Sequence, residues 1–207
     1  MERRPELWIV AGPNGAGKST IASKTLEISH ALDPDKICQR VRAQLSPLKL
    51  VLGEKRFADA TNLLAVLWVE RVVASAIRRQ RSIAVETVLS TDKYLKHVLR
   101  ARQLGFEVCM IFVALPEPND HVRRVTMRMR AGGHAVPEEK IRQRWHRAHD
   151  MLQLFVPYLD YLAVWSNAGF IHDDTPDPVL VAEKEHAQAR VVVLRRNELP
   201  EITRRFG

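Results

Sequence analysis

Apolar residues fall along this chain at two different spacings. Leu7 to Ala11 is an unbroken apolar run closed by Gly12-Pro13, the pattern of a strand buried on both faces in a parallel sheet. Ser82 to Glu86, Phe106 to Leu115 and Tyr161 to Trp165 repeat it and predict three more strands. Between them the spacing becomes helical: Lys18 to about Ser29, then from the Asp33-Pro34-Asp35 break to about Leu45. From about Lys55 to Gln80 residues such as Leu63, Leu64, Leu67, Val73 and Ile77 recur at helical intervals, which predicts the longest helix. Further helices are expected over Asp92 to Leu104, His121 to Arg130 and Pro137 to about Phe155. Val179 to Ala182 and Arg190 to Leu194 read as an edge hairpin or added strands after a turn at Asn167-Ala168-Gly169.

Strands separated by helices imply right-handed crossovers, hence an α/β protein with a parallel sheet core, helices on both faces and ligands at the carboxyl ends of the strands. A length of 207 residues suits one domain over 1–207, with a helical lid at about 119–150 and a C-terminal extension over 170–207.

Between the first strand and the first helix stands Gly12-Pro13-Asn14-Gly15-Ala16-Gly17-Lys18-Ser19-Thr20, which satisfies the G-x-x-x-x-G-K-[ST] pattern in its required context. Its glycines let backbone N–H groups turn inward around phosphate oxygens. The helix start adds a positive dipole end, Lys18 can reach the β- and γ-phosphates, and Ser19 offers a hydroxyl to magnesium. These residues predict a P-loop NTPase fold that takes ATP and Mg²⁺.

Phosphoryl transfer needs a base at the acceptor and cations over the transferred group. Asp35, at the carboxyl edge of the sheet, could take a hydroxyl proton; equally it could cap the helix that follows, and Asp33 competes for either role. Glu86 closes an otherwise apolar strand facing the P-loop, where it would bind substrate or magnesium-held water, or simply be a solvated strand end. Arg124 and Arg128 share a helix face at i and i+4, with Arg130 near and Arg144 on the next helix. Gly132-Gly133-His134 before Pro137 has the composition of a hinge between two lid helices. His146 and His149, three apart without a third ligand, are expected to be surface histidines.

The charge alters this picture little. Lys plus Arg outnumber Asp plus Glu by 32 to 24, but the basic residues are spread over several helices, which favours a solvated basic surface over a nucleic-acid footprint. Cys38 and Cys109, far apart, read as free thiols of a reducing cytoplasm. The apolar run at Leu7 is too short for a signal core or a span, so no membrane association is expected.

The quoted motifs resemble the zeta toxin family of P-loop kinases, whose best-known members phosphorylate UDP-N-acetylglucosamine and are restrained by an antitoxin. The likeness runs over roughly 7–169, through Trp8 to Thr20, Asp33-Pro34-Asp35-Lys36-Ile37, Val85 to Ser90, and Arg124 on to Pro137. It implies that Asp35 is the general base and that Lys18 and Ser19 hold phosphate and magnesium. It further implies that Glu86 and Thr87 bind substrate, that Arg128 and Arg144 bracket the transferred group, and that Asn167 belongs to the nucleotide site. Val88, Thr61, Gln143 and Ser166 depart from the family pattern, so the acceptor does not follow from the likeness. A nucleotide sugar is the expected substrate and an antitoxin a possible partner. An ATP-switched nucleic-acid-binding protein, or a polynucleotide kinase, is the alternative.

Overall fold

The computed structural model describes residues 3–25, 31–130, 136–168 and 178–207. The expected end of the first helix at Ser29, the Gly132-Gly133-His134 hinge and Gly169 lie outside them.

Among the described residues one sheet carries six strands in the order β2-β1-β3-β4-β5-β6. β1 (Glu6–Ala11), β2 (Ile83–Thr87), β3 (Glu107–Ala114) and β4 (Tyr161–Ser166) are mutually parallel. β5 (Val179–Lys184) and β6 (Val192–Val193) continue the sheet in antiparallel sense. The expected parallel core is thus four strands wide, and the C-terminal segment supplies the added strands anticipated for it.

β3 explains the inner order. Every residue from Val108 to Ala114 is at most 2% exposed, so this strand must be covered on both faces and flanked on both edges. On one face Met110, Phe112 and Ala114 join Leu7, Ile9 and Val164 against α4 (Glu54–Arg78), α5 (Leu95–Gln103) and α7 (Glu138–Phe155). On the other, Ile111 and Val113 meet Ala16 and Ile21, the latter from α1 (Lys18–Thr25). Helices therefore do cover both faces, though unequally.

α2 (Pro34–Gln44) packs against α4, joined to it across the break expected at Ser46-Pro47 by a 3-10 turn at Ser46–Leu48 and the short α3 (Lys49–Leu52). α4 is long and apolar enough to cross a membrane by length and composition, but its row Phe57, Thr61, Ala65, Val69, Val73, Ile77 is buried within the protein. α6 (Pro118–Arg130) and α7 form the helix pair expected as a lid, closed by Val122, Val125 and Ile141. α8 (Pro200–Thr203) returns Leu199 and Ile202 to the main core.

His149 corrects the expectation of a surface histidine. It is 1% exposed, its ring lies 4.1 Å from Trp145 and 5.9 Å from Phe112, and Nδ1 bonds the Trp145 carbonyl at 2.6 Å. The cause is helical phase: Trp145, Ala148, His149 and Leu152 share the core stripe of α7, whereas His146 points outward. Cys38 and Cys109 are free and buried, and burial pushes the Cys109 thiol well up.

Candidate active site

The P-loop spans the carboxyl end of β1 and the start of α1. Gly12 turns there at φ 141°, and a Cβ would lie 2.0 Å from the Val113 carbonyl oxygen, so backbone approach from β3 demands glycine. Gly17, at φ 88°, leaves room for Asn167: a Cβ would fall 2.2 Å from its Nδ2. Asn167 Nδ2 donates to the Ala16 carbonyl at 2.8 Å, and Arg124 Nη1 donates to the same oxygen at 3.4 Å. Asn167 is 4% exposed, so it braces the loop from behind.

Lys18 is 8% exposed and donates to the carbonyls of Gly12 (3.0 Å) and Pro13 (3.2 Å), with Glu86 Oε1 3.7 Å from its ammonium. Burial lowers its pKa, opposed by the nearby Glu86, Asp35 and Asp33 carboxylates. Ser19 Oγ donates to Glu86 Oε2 at 2.8 Å. Glu86 is therefore no solvated strand end: β2 pairs in register with β1, Val10 opposite Glu86, and that register carries its carboxylate to both functional side chains of the loop. The oxygen-only pair of Ser19 hydroxyl and Glu86 carboxylate is a donor set suited to Mg²⁺.

A cavity of about 570 Å³ opens beside the loop. Asn14, Gly15, Lys18, Ser19, Asp35, Glu86, Thr87, Arg128 and Arg144 all line it, joined by Asp33, Lys36 and Lys93. Of the remaining predicted residues, Gly12, Pro13, Ala16 and Gly17 form the back of the loop, and Thr20 is exposed on the first turn of α1, away from the cavity. Hydrogen bonding decides which of the two aspartates caps the helix. Asp33 Oδ1 accepts from the N–H of Asp35 (2.8 Å) and of Lys36 (3.4 Å), which makes Asp33 the N-cap and leaves the Asp35 carboxylate on the cavity wall. Thr87 is largely engaged locally: its Oγ1 accepts from the N–H of Leu89, which takes a left-handed conformation at φ 56°. That turn sets Val88, Ser90 and Thr91 on the wall.

Two positioning contacts escaped sequence reasoning. Arg144 Nη1 donates to Asn14 Oδ1 at 3.0 Å, tying α7 to the loop. His121, 0% exposed near the start of α6, accepts from the Leu115 N–H at Nε2 (3.0 Å) and meets the Asn14 carbonyl through Nδ1 at 2.7 Å. No spacing rule marks a buried histidine of this kind; its only signal is a polar residue on the apolar face of a short helix.

A parallel sheet with β1 flanked by β2 and β3, a phosphate loop at its carboxyl edge, and an arginine-bearing helix pair over that edge define a P-loop kinase. More narrowly, the chain belongs to the zeta toxin family, whose profile matches residues 1–155. An uncharacterized protein of Haemophilus influenzae is 23% identical over 150 residues, 69% of this chain and 99% of its own length. The AvrRxo1-ORF1:AvrRxo1-ORF2 complex with ATP contains a chain superposing with a TM-score of 0.67 at 18% identity; the match takes in 98% of this chain and 63% of that one, so this chain spans less than two thirds of that relative. The PezAT toxin-antitoxin system of Streptococcus pneumoniae gives 0.62 at 18% identity, over 80% of this chain and 68% of that one.

Proposed function

We propose that this kinase transfers the γ-phosphoryl group of ATP to a hydroxyl of an anionic small metabolite, a nucleotide sugar being the leading class, with Asp35 as general base. The observation that carries the reading is the division of labour between the two aspartates: Asp33 is consumed as a helix cap, while Asp35 stands uncommitted on the same cavity wall as Lys18 and Ser19. In the proposed step Asp35 takes the acceptor proton, the acceptor oxygen bonds to the γ-phosphorus, and the bond to the β-bridging oxygen breaks to release ADP.

The loop amides and Lys18 would hold the triphosphate, and Arg128 and Arg144 would offset charge on the equatorial oxygens. Magnesium, when bound, neutralises phosphate charge; Ser19 and Glu86 are the residues that would hold it, directly or through water. An anionic acceptor is favoured because Lys36 and Lys93 line the cavity beyond the three cations given to the triphosphate. A toxin role restrained by an antitoxin is part of the same proposal, supported by family membership and by PezAT being a toxin-antitoxin system.

The test incubates the protein with Mg²⁺, ATP and a metabolite extract and identifies by mass spectrometry the compound that gains a phosphoryl group. Asp35→Ala should abolish the gain and keep ATP binding. Full transfer by that variant would remove Asp35 from the mechanism, and tight, salt-sensitive RNA binding with no phosphorylated metabolite would favour the nucleic-acid alternative.

A further inference from the structure

Lys93 is placed for a ligand group that the phosphate loop does not account for. It belongs to the turn Ser90-Thr91-Asp92-Lys93 between β2 and α5, which is closed by a hydrogen bond from the Leu95 N–H to the Asp92 carbonyl at 2.7 Å. Ser90, Thr91 and Lys93 line the cavity, whereas Asp92 is exposed outside it. The Lys93 ammonium lies over the Tyr94 ring, 4.9 Å from its centroid, and that ring is buried in the main core. A cation seated on a fixed aromatic face is positioned before any ligand arrives.

The acids around this lysine are engaged elsewhere. Glu86 takes the Ser19 hydroxyl and stands 3.7 Å from Lys18, while Asp33 caps α2 and lies 4.0 Å from Lys36. Glu70, on α4, is the acid that acts most strongly on Lys93, but its Oε2 is held by Lys96 at 2.7 Å. Asp35 acts on both Lys93 and Lys18, so the proposed base is within electrostatic reach of both cations. Among the described residues no carboxylate pairs directly with Lys93, and the Ser90 and Thr91 hydroxyls make no hydrogen bond. Burial is the largest influence on Lys93 and lowers its pKa. A partly buried ammonium without a partner is destabilising, and a bound anion removes that penalty.

An ammonium and two hydroxyls on one turn offer three donor groups to a single anion. A phosphate group presents three terminal oxygens and can engage all three donors, whereas a carboxylate presents two. We infer that Ser90, Thr91 and Lys93 form a subsite for a phosphate group that the acceptor already carries, with Lys93 as the residue that selects phosphorylated acceptors. The inference rests on the reading that the acceptor enters this cavity, and it concerns the part of the acceptor that is recognised, apart from the hydroxyl that reacts.

The test loads the full chain with Mg²⁺ and a non-hydrolysable ATP analogue, which fills the phosphate loop, then titrates inorganic phosphate and follows the backbone amide resonances by NMR. Expected are saturable shifts over Ser90 to Lys93, affinity about tenfold weaker in Lys93→Met, partial recovery in Lys93→Arg, and affinity for acetate about tenfold below that for phosphate. Unchanged affinity for the ATP analogue verifies that Lys93→Met is folded. In the metabolite-extract assay the compound that gains a phosphoryl group should already contain one, and Lys93→Met should raise its KM about tenfold with kcat within about twofold. No saturable phosphate binding, binding indifferent to Lys93→Met, acetate bound as tightly as phosphate, or an acceptor without phosphate overturns the inference. The titration involves no transfer, so full activity of Asp35→Ala would remove the proposed base and leave the subsite standing.

Discussion

His121 donates a hydrogen bond to the carbonyl of Asn14, and its direction is settled from the other side of the ring. Nε2 accepts from the Leu115 N–H, so the proton of the neutral imidazole resides on Nδ1. One buried side chain thereby links the end of β3, the first turns of α6 and the middle of the phosphate loop. Since α6 also carries Arg124 and Arg128, the phosphate loop and the α6–α7 helix pair are positioned by the same group.

That arrangement predicts a specific acid sensitivity. Burial pulls the His121 pKa down to about 3 and the His149 pKa to about 4, both below the ordinary 6.5 of the unfolded chain. For groups depressed on folding, the unfolded state binds protons first as pH falls. Their stabilising contribution is complete above about pH 6.5 and is lost progressively below it, at up to about 1.4 kcal/mol per pH unit for each histidine. Urea unfolding at pH 7, 6 and 5 checks this. His121→Phe should be less stable at pH 7 by roughly 2–4 kcal/mol, because two buried backbone groups lose their partner. Its stability should nevertheless fall less steeply with acid, by about the slope of one histidine. An unchanged slope would mean that His121 is charged in the folded protein.

Asp33 and Asp35 should separate stability from chemistry. Asp33→Ala removes the cap of α2 and should cost about 1 kcal/mol in thermal or urea unfolding. Asp35→Ala leaves the cap in place, should change stability by less than about 0.5 kcal/mol, and should stop transfer. A cap cost appearing at Asp35 would invert the assignment of the two residues.

The two loop glycines differ in what opposes a side chain. At Gly12 a methyl would strike the Val113 backbone oxygen at 2.0 Å, in a strand that cannot move, so Gly12→Ala should unfold the protein or leave it insoluble. At Gly17 the nearest obstacle is the tip of Asn167, with Arg124 Nη2 at 3.2 Å. Gly17→Ala should fold but lose ATP affinity at least tenfold, as read by calorimetry. Adding Asn167→Ala should recover part of the folding stability and none of the penalty of about 1 kcal/mol for a side chain at positive φ.

The frame of the protein was legible because strong local signals agreed with one another. The uninterrupted apolar runs beginning at Leu7 and Val108 could only be central strands, and the glycine pattern between a strand and a helix could only be a phosphate loop. Asp33 and Asp35 were ambiguous for a physical reason: two aspartates around a proline are equivalent as caps until backbone geometry decides which N–H groups face which carboxylate. Glu86 resisted for another, since its role follows from a strand register set by pairing with β1, more than seventy residues earlier in the chain. The buried histidines were hidden because helical phase places them, and a shift of one residue on α7 separates exposed His146 and Arg147 from buried Ala148 and His149. The C-terminal strands β5 and β6 were visible as apolar runs, but nothing local distinguishes antiparallel addition to β4 from a separate hairpin.

Lys18 supplies the sharpest separation of binding from stability. Its ammonium is buried, hydrogen-bonded to two loop carbonyls and 3.7 Å from Glu86, and burial is the dominant influence on it, lowering its pKa. Removing the charge with a side chain of similar length relieves that desolvation, while Glu86 keeps the hydroxyl of Ser19 and remains partly open to solvent. Lys18→Met should therefore fold with stability equal to the wild type within about 1 kcal/mol, because the lost hydrogen bonds and the recovered desolvation are of comparable size. Its affinity for ATP with Mg²⁺ should nonetheless fall at least a hundredfold, since a triphosphate tail bound without that ammonium keeps its charge uncompensated inside the loop. Parallel calorimetry and urea unfolding read the two quantities on the same sample. A variant that unfolds readily would make Lys18 a structural residue, and one that binds ATP normally would show that the loop amides hold the triphosphate unaided.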